Sequence, residues 1–183
     1  MVVQAPFDHL KARGSEQNIS VLYSEAYPGT GTFPQVSSSM FPGGLKVTYW
    51  TATDSTGTVD QTLNVTNIAS ASYPAELWVA YPQIFSSKYT GLFMPNTTGM
   101  YYFSMNGQGD SLLYINNILI ANMSGANLVS TVQGIANLTA GVAVPIRIDY
   151  LMGTSLSTGA YRITLGVSVA NQTRDSDADA LAA

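Results

Sequence analysis

Hydrophobic and polar residues alternate through most of the middle of the chain. In the run MYYFSM at 100–105, Tyr101, Phe103 and Met105 fall on one face of a predicted strand. Asn116-Asn117 separates the runs 111–115 and 118–121. It predicts a two-residue hairpin turn between them, because Asn tolerates positive φ. The other predicted strands are 45–50, 111–115, 118–121, 144–151 and 161–167. Many short strands without helical periodicity predict an all-β fold, an antiparallel two-sheet β-sandwich.

The two ends of the chain depart from this alternation. Residues 7–14 predict a short helix, and 175–183 predict the acidic start of another. Between them, 18–23 predict an isolated strand and 30–44, with Gly, Pro and Ser, predict a linker. We therefore expect short helical flanks around the sandwich. The predicted division is a flank with linker at 1–43, a β-sandwich at 44–170 and a helix start at 171–183.

The composition of the chain narrows the classes of protein to which it could belong. Only 10% of the 183 residues are charged, and the net charge is −4 with seven basic residues. Nucleic-acid binding needs a clustered basic face and anionic membrane needs the same, so neither is expected as a partner. The chain has no cysteine, which excludes a disulfide framework and a thiolate metal site. Few charges with many Ser, Thr and Asn residues are typical of extracellular β-proteins, so we expect a secreted protein.

The middle of the chain resembles the protective-antigen (PA-14-type) domain family. The resemblance rests on five runs in the family's order and spacing, rather than on any one of them. They are GLKVTYW at 44–50, FSSKYTGLFMP at 85–95, TGMYYF at 98–103, LYINNILI at 113–120 and LTAGVAVPIRIDY at 138–150. The resemblance implies a β-sandwich from about residue 44 to 169.

The flanks carry a second resemblance. Residues 5–13, followed by 21–23, look like a segment of the α/β-sandwich domain of family 3 glycoside hydrolases, some of which carry a protective-antigen insert. Residues 175–183 are similar to the point where that domain resumes. This implies an insert excised from a β-glucosidase-like parent, with the parent's domains as partners. We then expect both flanks, up to about Gly43 and after about Asn171, to be dispensable for stability. The alternative is a free-standing sandwich with ordinary terminal helices.

The sequence offers no catalytic constellation. Family 3 hydrolases need two carboxylates, and the Ser-Asp-Trp-like nucleophile motif is missing among the eleven acidic residues. His9 is the only histidine, so a catalytic triad cannot be assembled. We expect no enzymatic activity from this chain.

Calcium is disfavoured as a cofactor. The family's calcium-dependent sugar binders use two adjacent aspartates just before the strand that matches 112–115. The corresponding stretch here, Asn106-Gly107-Gln108-Gly109-Asp110, holds one aspartate. A lone carboxylate with neutral amides makes a weak calcium site. We expect no cofactor.

Sugar can also be held without metal, by aromatic rings and neutral hydrogen-bonding groups. The candidate sugar-binding residues are Trp50, Trp78, Tyr81, Asn106, Gln108 and Asp110. Each of the three aromatic residues has a core position as its alternative, and Tyr89 and Tyr101 are assigned to the core. The resulting hypothesis is a non-catalytic accessory module of a secreted β-glucosidase-like hydrolase, with an oligosaccharide or glycan as ligand. An adhesin-type lectin and a structural spacer are the alternatives.

Overall fold

The computed structural model describes residues 31–50, 52, 55–56, 58–68, 85–124, 129–151 and 163–169. Within these ranges the chain forms nine β-strands and one short 3-10 helix, Ser38–Met40. The strands are β1 Leu45–Trp50, β2 Val59–Val65, β3 Ser86–Phe93, β4 Gly99–Gly107, β5 Asp110–Ile115, β6 Ile118–Met123, β7 Ser130–Leu138, β8 Val144–Leu151 and β9 Ile163–Val169. Across the same residues, no helix has the length and apolarity needed to cross a membrane.

The strands form two antiparallel sheets. One has six strands in the order β2-β1-β3-β8-β5-β6, and the other has three in the order β7-β4-β9. The prediction of an all-β, antiparallel two-sheet sandwich is confirmed. The predicted helical flanks at 7–14 and 175–183, the strand at 18–23 and His9 lie outside the described residues. All described residues belong to the compact unit 28–170.

Alternation along the strands places the core between the sheets. Leu45, Val47 and Tyr49 of β1 are buried, and in β4 Tyr101 and Phe103 are fully inaccessible. Aromatic rings bridge the sheets: the Phe93 ring centroid lies 5.3 Å from that of Phe103 and 5.8 Å from that of Tyr101. Tyr89 and Tyr101 are 5% and 0% exposed, so their assignment to the core is confirmed.

The β5–β6 hairpin turns at Asn116 and Asn117, as predicted. Both residues have positive φ, 51° and 64°, which is the backbone of a type I′ turn. This turn fits the right-handed twist of the two strands that it joins. The pairing of β5 with β6 changes register between Leu113 and Tyr114.

The structure corrects the interpretation of 30–44 as a linker, of which it describes residues 31–44. Val36, Met40 and Phe41 are buried in the core at 2%, 7% and 3% exposure. Backbone bonds from Val36 N to Leu165 O and from Val167 N to Pro34 O attach this segment to the edge of β9. Its Gly, Pro and Ser residues make the turns, while the apolar residues Val36, Met40 and Phe41 pack into the core.

Candidate functional site

The outward face of the six-stranded sheet carries a diagonal line of aromatic and charged side chains. Because Tyr49, Tyr89 and Ile148 point into the core, the residues next to them in sequence point outward. The register of the strands then brings together five outward residues, which we call the outer strip: Trp50 of β1, Lys88 of β3, Asp149 and Arg147 of β8, and Tyr114 of β5. The strip crosses four strands, a width of about 14 Å at the usual strand spacing.

Each member of the outer strip contacts the next. Lys88 Nζ lies 5.7 Å from the centroid of the Trp50 ring and 4.0 Å from Asp149 Oδ1. Arg147 Nε lies 3.2 Å from Asp149 Oδ2, without the alignment of a hydrogen bond. The Arg147 guanidinium sits 3.7 Å from the centroid of the Tyr114 ring. Partly exposed pairs of this kind contribute about 0–1 kcal/mol each, so their main effect is to fix the positions of long side chains.

Ala52 and Ser55, from the connection between β1 and β2, lie at the Trp50 end of the strip. Ser86 points outward beside Trp50, yet it is fully buried. Its hydroxyl accepts a hydrogen bond from Ser55 N at 2.9 Å and donates one to Ala52 O at 2.5 Å. These bonds hold Ala52 and Ser55 against Ser86, while the Trp50 side chain stays partly exposed.

Positive charge gathers on this face although the chain is acidic. The basic residues in the described part of the chain are Lys46, Lys88 and Arg147, and all three point outward from the six-stranded sheet. The chain as a whole carries a net charge of −4. Asp149 and Asp110 share the face, so the charges there are mixed with a cationic excess at the strip.

The sequence-predicted residues that the structure describes do not converge on one site. Trp50 belongs to the outer strip, and Asp110 ends the same row of the sheet, three strands away through Ser86 and Leu151. Trp78 and Tyr81 lie outside the described residues.

The other two candidates, Asn106 and Gln108, occupy different surroundings. Asn106 faces outward from the three-stranded sheet, on the opposite side of the sandwich, and donates from Nδ2 to Thr131 Oγ1 at 2.8 Å and to Ser130 O at 3.2 Å. Gln108 is 7% exposed, and its carbonyl accepts a hydrogen bond from the Tyr150 hydroxyl at 2.6 Å. Their roles as sugar contacts, like those of Trp50 and Asp110, stay predictions.

Sequence reasoning missed four members of the strip: Lys88, Tyr114, Arg147 and Asp149. A signal was present, because Arg147 and Asp149 occupy alternate positions of a strand whose other positions are apolar. Charges at that spacing lie on one face of a strand. The neighbours of that face on β3 and β5 depend on the order and register of the strands, which the sequence alone does not reveal.

The comparisons agree with this architecture. Residues 41–179 match the model of the PA14 domain, and the chain belongs to the PA14 domain family. No curated protein matches the chain.

Several solved structures share the fold. A β-glucosidase from Kluyveromyces marxianus matches over 94% of this chain, with a TM-score of 0.57 and 17% identity. An anti-sigma factor domain-containing protein from Clostridium clariflavum matches over 71%, with a TM-score of 0.59 and 24% identity. A PA14 sugar-binding domain from an RTX adhesin matches over 69%, with a TM-score of 0.53 and 16% identity. The chain spans 23%, 43% and 90% of these three chains, respectively.

Proposed function

We propose that this PA14 domain is a non-catalytic carbohydrate-binding module that works outside the cell and holds an oligosaccharide on its outer strip. The outer strip carries the proposal, because aromatic rings at its two ends enclose charged side chains on a sheet face. A sugar ring presents an apolar face to an aromatic ring such as Trp50. Its hydroxyl groups form charge-assisted hydrogen bonds with groups such as Lys88 and Arg147.

The proposed parent is a secreted β-glucosidase-like glycoside hydrolase, in which the module shapes access to the active site. The similarity in fold to the K. marxianus β-glucosidase supports this parent. So does the resemblance of 5–13 and 175–183 to segments of a hydrolase domain. The parent's own domains are then the protein partners of the module.

A binding role fits the described carboxylates better than a catalytic role. Asp149 is ion-paired with both Arg147 and Lys88, which compete with any reacting group for its oxygens. Glycoside hydrolysis requires two carboxylates placed on either side of the scissile bond.

An adhesin-type lectin is the second candidate, favoured by the similarity in fold to the sugar-binding domain of an RTX adhesin. The protein sequence on both sides of this chain discriminates between the two. Continuation into an α/β sandwich, with a Ser-Asp-Trp-like motif upstream, favours the hydrolase. A Ser/Thr-rich stalk favours the adhesin.

The binding role is tested by titrating the 183-residue chain with a panel of tetrasaccharides, neutral and acidic, in a calorimeter. We expect at least one to bind and Trp50→Ala to raise its Kd by about tenfold, the equivalent of about 1.4 kcal/mol of lost contact. Leu92→Ala is the matched control, because Leu92 is 43% exposed on the same face but outside the strip.

Thermal unfolding of both variants verifies that each remains folded. Absence of binding to every sugar contradicts the proposal and favours a structural spacer. Equal losses in Trp50→Ala and Leu92→Ala place the site away from the outer strip.

A further inference from the structure

The charge balance of the outer strip is uneven. Lys88 and Arg147 are two cations that share a single carboxylate, Asp149. Both cationic side chains are 38% exposed, whereas that of Asp149 is 19% exposed. One positive charge therefore remains uncompensated within the strip, in a chain whose net charge is −4.

The geometry leaves hydrogen-bond donors of Lys88 and Arg147 available to a second anion. Lys88 Nζ is 4.0 Å from Asp149 Oδ1, which is beyond the usual length of a charge-assisted hydrogen bond, about 2.7–2.9 Å. Arg147 meets Asp149 through Nε, so the ion pair does not engage the two Nη atoms at the end of the guanidinium. Among the described residues, Asp149 Oδ1 is buried without a hydrogen-bond partner. Lys88, Arg147 and Asp149 are close together, but they do not use all of one another's hydrogen-bonding groups.

The Arg147 side chain is positioned before any ligand arrives. Its guanidinium rests 3.7 Å from the Tyr114 ring centroid, and its Nε lies against Asp149. A planar guanidinium can bind a carboxylate with two parallel hydrogen bonds. Holding it in place beforehand reduces the conformational entropy that binding would otherwise cost.

From these observations we infer that the ligand of the outer strip is an acidic oligosaccharide, one whose sugar rings carry carboxylate groups. The inference rests on the proposed function. A uronic acid combines an apolar ring face, which Trp50 can accept, with a carboxylate that Lys88 and Arg147 can bind. Lys88 lies 5.7 Å from the Trp50 ring, so one sugar residue can reach both. Three described cations are too few for a nucleic-acid surface, where several phosphates are neutralised together.

The test compares two tetrasaccharides of equal length by calorimetry on the full chain. Tetragalacturonate is the acidic probe and cellotetraose is the neutral one. We expect tetragalacturonate to bind at least about tenfold more tightly, an advantage typical of one hydrogen-bonded charge. Its Kd should rise between 20 and 200 mM NaCl, because salt screens partly exposed charges.

Three substitutions locate the effect. Lys88→Met should raise the Kd for tetragalacturonate about tenfold, while the Arg147–Asp149 pair stays intact. Lys46→Met, the matched control, removes the same charge from the same face but outside the strip, and should change the Kd less than about twofold because that charge is exposed and screened. Asp149→Asn removes the competing carboxylate and should lower the Kd several-fold, a gain that a folding defect cannot imitate.

The outcomes separate the two proposals. Equal affinities for the acidic and neutral tetramers overturn the acidic ligand but leave the carbohydrate-binding role standing. Binding of neither tetramer, together with none of the other sugars in the panel, overturns both. If a tetraglutamate peptide binds as tightly as tetragalacturonate, the strip selects charge without sugar, and the inference fails. Equal losses in Lys88→Met and Lys46→Met also refute it.

Discussion

Several tyrosine hydroxyls are buried in the core of this sandwich and need hydrogen-bond partners. The Tyr101 hydroxyl donates to Asn96 Oδ1 at 3.0 Å and accepts from Thr97 N at 3.0 Å, at one end of β4. The Tyr150 hydroxyl donates to Gln108 O, in the loop after the other end of β4. Tyr49 and Tyr89 are hydrogen-bonded to each other. Buried hydroxyls that lack partners are costly, and these contacts let large aromatic rings fill the interior without that cost.

Tyr49 should make the protein sensitive to alkaline pH. Burial raises the pKa of the Tyr49 phenol above its usual value, and the neighbouring Tyr89 raises it further. A pKa that is higher in the folded state gives stability that is fully present below the unfolded value, about 10, and is lost as the pH rises above it. We expect the urea midpoint to fall between pH 8 and pH 10.5.

Tyr49→Phe tests this cause. At pH 8 the variant should lose about 1 kcal/mol of unfolding free energy, because the hydrogen bond with Tyr89 is removed. Its fall between pH 8 and pH 10.5 should be smaller than that of the original protein. The same fall in both proteins would show that another group controls the alkaline response.

At the scale of elements, the strands predicted from sequence are those with one clearly apolar face. β1, β4, β8 and the β5–β6 hairpin alternate strongly, and all were predicted. β2, β3 and β7 were not among the predicted strands. β2 and β7 are edge strands and β3 is a central one, but the faces of all three mix polar and apolar residues. β7 includes Gly134, where a Cβ would clash with the Ile120 carbonyl oxygen of β6. The residue types of β7 alone do not indicate a strand. Its glycine is explained only by the contact with β6, which the sequence does not reveal.

The outer strip shows the same limit. Trp50 could be proposed from its residue type alone, and the strands that carry Arg147, Asp149 and Tyr114 were predicted. These side chains come together because strands that are distant in sequence pair with one another. Examples are the pairs Thr90 with Arg147 and Arg147 with Tyr114. Alternation determines the face of a strand, but strand order and register arise from the packing of the whole sandwich.

The segment 31–44 provides a prediction at the element scale. Phe41 is 3% exposed and packs edge-on against Phe93, with 6.1 Å between ring centroids, and the Met40 carbonyl accepts from Met94 N. Phe41→Ala should therefore cost about 3–5 kcal/mol of unfolding free energy, as for other buried Phe residues. Urea denaturation measures the loss.

Val142→Ala serves as the control, because Val142 is 52% exposed and its truncation should change stability by less than about 0.5 kcal/mol. A chain that begins at Gly44 should be less stable than one that begins at Gly31. If the two chains unfold at the same urea concentration, the segment is the dispensable linker that composition suggested.

For the whole molecule, the two sheets separate the polar groups that the sequence places side by side. Asn106 and Asp110 are four residues apart, yet the first faces outward from the three-stranded sheet and the second from the six-stranded sheet. Gln108, between them, is buried. The chain therefore crosses from one face of the sandwich to the other within this loop, and Gly109, with φ of +97°, makes the crossing beside the Leu151 carbonyl.

This separation leads to a prediction about calcium and global stability. A calcium ion needs six to eight oxygen ligands around one point, and the side chains of Asn106 and Asp110 diverge. Millimolar calcium should therefore leave the melting temperature unchanged. A site held at 100 times its Kd would add about 2.7 kcal/mol, which at this chain length raises the melting temperature by about 5–10 °C. Scans in calcium, magnesium and chelator provide the measurement. An increase specific to calcium that disappears in Asp110→Ala would show that the loop rearranges to bind the ion, and would favour the lectin over the hydrolase module.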